Sequence, residues 1–148
     1  MDRATDQMID IADAVVTAIG NASLTPTPAE VVRGYDLLYE LEDMTEGEVY
    51  VGVAISEDEE TDASRRRVGS ETDIIVAVRS KLSATTNAAV DPLVKLCGAI
   101  RNLFRGNALA GVDDVWCRRT TRLAPYNPKH LREWRQFTGV VTLSFIKQ

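Results

Sequence analysis

The chain holds one histidine, His130, and two cysteines, Cys97 and Cys117, so the common nucleophiles and proton carriers are scarce. A histidine base needs an orienting partner and a nucleophile, and the sequence around His130 supplies neither. His130 reads as an exposed histidine in a basic loop. The cysteines are far apart and lack a CxxC partner, which reads as two buried reduced thiols rather than a disulfide or metal pair. Five acids crowd together as Glu57, Asp58, Glu59, Glu60 and Asp62, without the alternating spacing and central glycine of a calcium loop. No GxxxxGK[ST] or GxGxxG follows a predicted strand, so no phosphate cradle is indicated. Arg65, Arg66 and Arg67, with Arg118, Arg119 and Arg122, have the charge to meet nucleic-acid phosphates. The net charge of −5 and the lack of interleaved stacking aromatics weigh against dedicated binding of that kind. No catalytic, cofactor or metal set emerges, and the residues that remain are those of interaction surfaces. Trp116, Tyr126 and Trp134 lie among Arg118, Arg119, Arg122, Arg132 and Arg135, and Trp, Tyr and Arg are the types that anchor protein interfaces. Packing in the core or at a sheet edge is the competing reading for both tryptophans.

A length of 148 residues fits a single domain over 1–148, large enough to bury a core without metal or disulfide staples. With 45% hydrophobic and 26% charged residues, wholesale disorder is disfavoured. No apolar run reaches the roughly 20 residues that span a bilayer. Asp2, Asp6 and Asp10 make the start unlike a secretory signal, so the protein is expected to stay in the compartment where it is made. Residues 1–100 hold 8 of the 17 Lys and Arg and 19 of the 22 Asp and Glu, a balance of −11. Residues 101–148 hold the other 9 basic and 3 acidic residues, a balance of +6. Two outcomes are open: a polarised surface suited to head-to-tail association, or charges that intermix on folding.

The elements follow from periodicity. Thr5 to Gly20 reads as a helix with Met8, Ile11, Ala12, Val15 and Ile19 on one face, closed by Gly20-Asn21. Pro26 and Pro28 make an extended linker. A first strand is expected over Val31 to Leu41, with Val31, Arg33 and Tyr35 on one face. A second runs over Glu48 to Ser56, with Val49, Val51, Val53 and Ile55 on one face. The stretch 57–70 reads as the long charged tip of a hairpin, either a solvated loop or an arm that orders against a neighbour. Ile74, Val76 and Val78 alternate with Asp73, Ile75, Ala77 and Arg79 as a strand does.

Asp91-Pro92 reads as the start of a second helix, with Leu93, Leu96, Cys97, Ile100, Leu103 and Phe104 as its apolar stripe and Gly106-Asn107 as its end. A strand over Val115 to Leu123 is expected to point Trp116, Arg118 and Thr120 away from Val115, Cys117 and Arg119. Residues 129–135 read as a short basic turn or loop, before a last strand over Gln136 to Ile146 with Phe137, Val141, Leu143 and Phe145 inward. The order is α-β-β-β-α-β-β. It predicts an α+β domain, two helices on a mainly antiparallel sheet of about five strands with a long charged hairpin tip.

The segments "DIADAVVTAI", "TDIIVAVRSKL", "VDPLVKLCGAIRNLFRGNAL" and the late strand ending "GVVTLSFIKQ" follow one another in an order that resembles the tail-terminator, or tail-completion, proteins of tailed bacteriophages. More loosely it resembles their neck relatives. The resemblance covers nearly the whole chain as a pattern without a sharp motif, and no residue separates a terminator from a neck or head-completion adaptor. It implies a non-enzymatic virion protein at the head–tail junction, assembled in the host cytoplasm as a homo-oligomeric ring, typically a hexamer. Its partners would be the tail tube protein and the head-side connector, with DNA passing through the lumen unbound and no membrane contact. The candidate subunit or partner contacts are then Glu57, Asp58, Glu59, Glu60, Asp62, Arg65, Arg66 and Arg67 at the tip, and Trp116, Arg118, Arg119, Tyr126, Arg132 and Trp134. An acidic tip lining the lumen would repel DNA phosphate. A small cellular enzyme or ligand-binding domain is the reading from another class, and a concave pocket with converging polar groups would favour it.

Overall fold

Alternation along the central strands decides which residues form the core. In the computed structural model, which describes residues 3–35, 44–55, 71–121 and 127–147, strand β3 (Glu71–Lys81) buries Ile74, Val76 and Val78 completely. It pairs antiparallel with β2 (Val49–Ile55) and β5 (Gln136–Lys147). The register sets Ile74 opposite Leu143, Val76 between Val53 and Val141, and Val78 beside Val51. One apolar sheet face results, as the two-residue period requires. Strand β4 (Val115–Thr121) adds antiparallel to β5, and β1 (Glu30–Arg33) adds parallel to β2. The sheet is therefore mixed, in the order β1-β2-β3-β5-β4.

Two helices cover the apolar face. Helix α1 (Arg3–Asn21) sets Ile11, Ala12, Val15 and Ile19 into the core over β1 and β2. Helix α2 (Asn87–Phe104) sets Leu93, Leu96, Cys97, Ile100 and Phe104 over β5 and β4. Phe104 meets Phe145 edge to face, with centroids 6.0 Å apart. Cys97 and Cys117 are both buried and reduced. Burial pushes the Cys117 thiol up, partly offset by backbone hydrogen bonds involving Ser144, Arg119 and Gly106, which suits a packing role rather than a nucleophile. A left-handed turn at Gly106, φ 72°, ends α2 where a terminating glycine was expected.

Several expectations need correction. Helix α2 begins at Asn87, not after Asp91: Thr86 is its N-cap, accepting from the Ala89 N–H at 3.4 Å, and Pro92 lies inside. Pro92 and Ala88 are exposed, so water can satisfy the Ala88 carbonyl that proline leaves without its helical donor. Helix α1 runs through Gly20, which has no positive φ, to Asn21. Among the described residues the first strand is Glu30–Arg33, and Tyr35 lies beyond it, exposed, while 36–41 of the expected strand fall outside the described residues. Residues 129–135, expected as turn or loop, lie almost wholly in helix α3 (Pro128–Trp134), so there are three helices among the described residues. Asn127 caps α3 by accepting from Lys129 and His130 N–H groups, and Pro128 is its first residue. The Asn-Pro pair is a helix start as well as a strand breaker. In β4 the alternation breaks at a bulge between Cys117 and Arg119, which turns Thr120 rather than Arg119 toward the helix side. There Thr120 accepts from the Arg101 guanidinium at 2.9 Å. The charged tip 57–70 lies outside the described residues, although its flanking strands pair antiparallel as a hairpin requires.

Candidate functional site

Helix α3 packs against the start of β5, with Leu131 against the apolar core and its single histidine on Thr138. His130 Nδ1 lies 2.9 Å from Thr138 Oγ1 of β5, and its ring stacks on Trp134, four residues on, at 4.4 Å. His130 is thus half-buried on a helix, not exposed in a loop. Burial holds its pKa down, Arg79 and Lys129 push the same way, and Glu133 opposes them. A histidine that folds neutral contributes stability above its unfolded pKa of about 6.5, and loses it as pH falls through that value toward the lower folded one. Wild type should therefore lose more melting temperature than His130→Gln between pH 7.5 and pH 5.5. An equal loss in both would show that His130 titrates as it does in the unfolded chain.

The stack leaves Trp134 46% exposed and held in place. Lys129, Arg132 and Arg135 are exposed around it, with Glu133 the opposing charge. On β4 the bulge leaves Arg118 and Arg119 both exposed, while Trp116 is half-buried. Arg119 reaches Glu71 only loosely, at 3.9 Å. The structure thus puts Arg132 and Trp134 beside the start of β5, where His130 meets Thr138, and Trp116, Arg118 and Arg119 on β4, which pairs with Thr142–Lys147 further along. Tyr126 and the tip residues Glu57, Asp58, Glu59, Glu60, Asp62, Arg65, Arg66 and Arg67 fall outside the described residues.

A second surface sits at the opposite edge, where β1 exposes Val32 (37%) and, just past it, Tyr35 (76%). Arg33 holds Tyr35: its guanidinium lies 5.5 Å from the ring centroid and donates to the hydroxyl at 3.3 Å. It also donates to Asp13 of α1 at 2.7 Å. Hydrogen bonds to Tyr35 and then Asp13 push the Arg33 guanidinium up. Exposed acids near this edge are Asp10, Asp13 and Glu30. Sequence patterning missed this pair of aromatic and aliphatic side chains because it placed Tyr35 inside a longer strand. The charge separation along the chain survives only in part. The turn before β4 brings Asp113 beside Asp10 and Asp13, where a cleft of about 430 Å³ opens between α1 and Ala110–Asp113. Among the described residues no group of three or more His, Cys, Asp or Glu is arranged to hold a metal ion. No family model and no curated protein sequence matches the chain.

Proposed function

We propose that this chain is a structural subunit at the head–tail junction of a tailed bacteriophage, a tail terminator that works as a closed homo-oligomeric ring, a hexamer, between the tail tube and the head connector. The observation that carries this reading is the arrangement of the segments behind the resemblance. Residues "DIADAVVTAI" lie in α1, "TDIIVAVRSK" in β3, "VDPLVKLCGAIRNLF" in α2 and "GVVTLSFIK" in β5, and together they build one two-layer core. The described surface also suits assembly better than chemistry, since its exposed aromatics and arginines lie on outward faces rather than around a pocket. A ring needs heterologous contacts whose rotation closes, and its two faces then meet different partners. DNA passes through such a ring without sequence-specific contact, and an acidic tip over 57–70 would keep phosphate from adhering. The test is the native mass of the purified protein across concentration and salt. A discrete closed multimer, a hexamer above all, is expected at low salt. A strict monomer both alone and with tail tubes added would overturn the proposal.

A further inference from the structure

We infer that two copies of this chain dock head to tail, the Trp134 surface of one against the β1 edge of the next. The inference rests on the self-associating reading above and specifies the contact that it needs. Among the described residues the exposed large apolar side chains are three, Val32, Tyr35 and Trp134, and they fall on opposite halves of the sheet. In the strand order β1-β2-β3-β5-β4, the strand that carries the Trp134 helix, β5, is separated from the β1 edge by β2 and β3, so the two surfaces are distinct.

Both surfaces are built to receive a partner with little reordering. Trp134 is fixed by its stack on His130, and Tyr35 by the Arg33 guanidinium, so neither aromatic loses much freedom on docking. Their surroundings differ in sign. Lys129, Arg132 and Arg135 are exposed on α3 with Glu133 its one acid, and further along the same half Arg118 and Arg119 of β4 are exposed, with Asp113 and Asp114 just before that strand. Asp10 and Glu30 are exposed on the β1 half, where Arg33 is already held by Asp13. A symmetric contact would set each surface against its own copy, like charge on like charge. The complementary pairing is the heterologous one, which leaves a free surface at either end until the ring closes.

Two full-length double variants test this: Arg118→Glu with Arg132→Glu, and Asp10→Lys with Glu30→Lys. All four side chains are exposed and make no described hydrogen bond or ion pair, so the fold should persist, and far-ultraviolet circular dichroism checks that it does. Each variant alone is expected to run as a monomer by light scattering. An equimolar mixture should assemble again beyond the dimer, because the intact basic surface of one variant meets the intact acidic edge of the other, and the two reversed surfaces also carry opposite charge. Adding Trp134→Ala to the Asp10/Glu30 variant, which supplies the intact basic surface, should weaken the mixed assembly at least ~10-fold, as loss of a buried aromatic anchor does. A mixture that stays monomeric overturns the pairing, as does either variant keeping the wild-type mass. If variants keep a closed multimer, the ring reading stands and this contact falls. Were the mixture to assemble while wild type grew into open filaments, the contact would stand and the ring reading would fall.

Discussion

Phe145→Ala should cost about 3–5 kcal/mol, the range for removing a buried aromatic ring. Phe145 is 1% exposed and sits on β5, paired to Thr72 on one side and Cys117 on the other. Its ring meets Phe104 at 85°, so the truncation opens a void between the sheet and α2. A strand held on both sides cannot slide in to fill that void, which argues for the upper part of the range. Losing the edge-to-face pair contributes about 0.5–1.5 kcal/mol of the total. Against a stability of about 5–15 kcal/mol for a domain of this kind, most of the margin could go. With a urea slope of about 1–3 kcal/mol/M, the midpoint should fall by at least ~1 M. Phe145→Leu keeps most of the volume and should fall much less. If Phe145→Ala shifts the midpoint by under ~0.3 M, α2 does not pack on β5 as described.

Much of this core was legible because burial on one face leaves a period in the sequence. Ile74, Val76 and Val78, or Ile11, Val15 and Ile19, announce a strand and a helix without outside help. Local signals failed where two physical readings compete. Asn127-Pro128 can be read as a chain breaker or as a helix start, and the capping of the Lys129 and His130 N–H groups by Asn127 shows which use prevails. Asp91-Pro92 has the chemistry of a helix start, yet Thr86, Ala88 and Ala89 nucleate the helix a turn earlier. The bulge at Arg118 leaves no trace in composition, because two adjacent arginines fit either face of an edge strand. The parallel pairing of β1 is equally silent, since four residues carry too little pattern to fix a direction. For the interaction surfaces, residue type pointed to Trp134 and Arg132. The β1 edge emerged only once Val32 and Tyr35 were seen on the outside.

The two faces of β3 allow a sharper test of the layer order than any single core truncation. Val76→Asp should unfold the protein at 25 °C, whereas Ile75→Asp, one residue away, should leave it folded. Val76 is fully buried between Val53 and Val141, facing α1 and α2. A carboxylate there finds no described polar side chain in the apolar cluster, so it must either stay charged without solvent or take up a proton. A pKa raised by 3–5 units makes the carboxyl take up a proton near or above pH 7, which limits this cost to about 4 kcal/mol at neutral pH, and the lost valine packing and the burial of the neutral carboxyl add to it. Ile75 points to the other face, half-buried between Ala54 and Thr142, where a carboxylate can reach water at a cost nearer ~1 kcal/mol. Circular dichroism and urea titration of the pair would show one chain without a cooperative transition and one with a modestly lower midpoint. A one-residue slip of register reverses the order of the two, so the comparison reads the register itself.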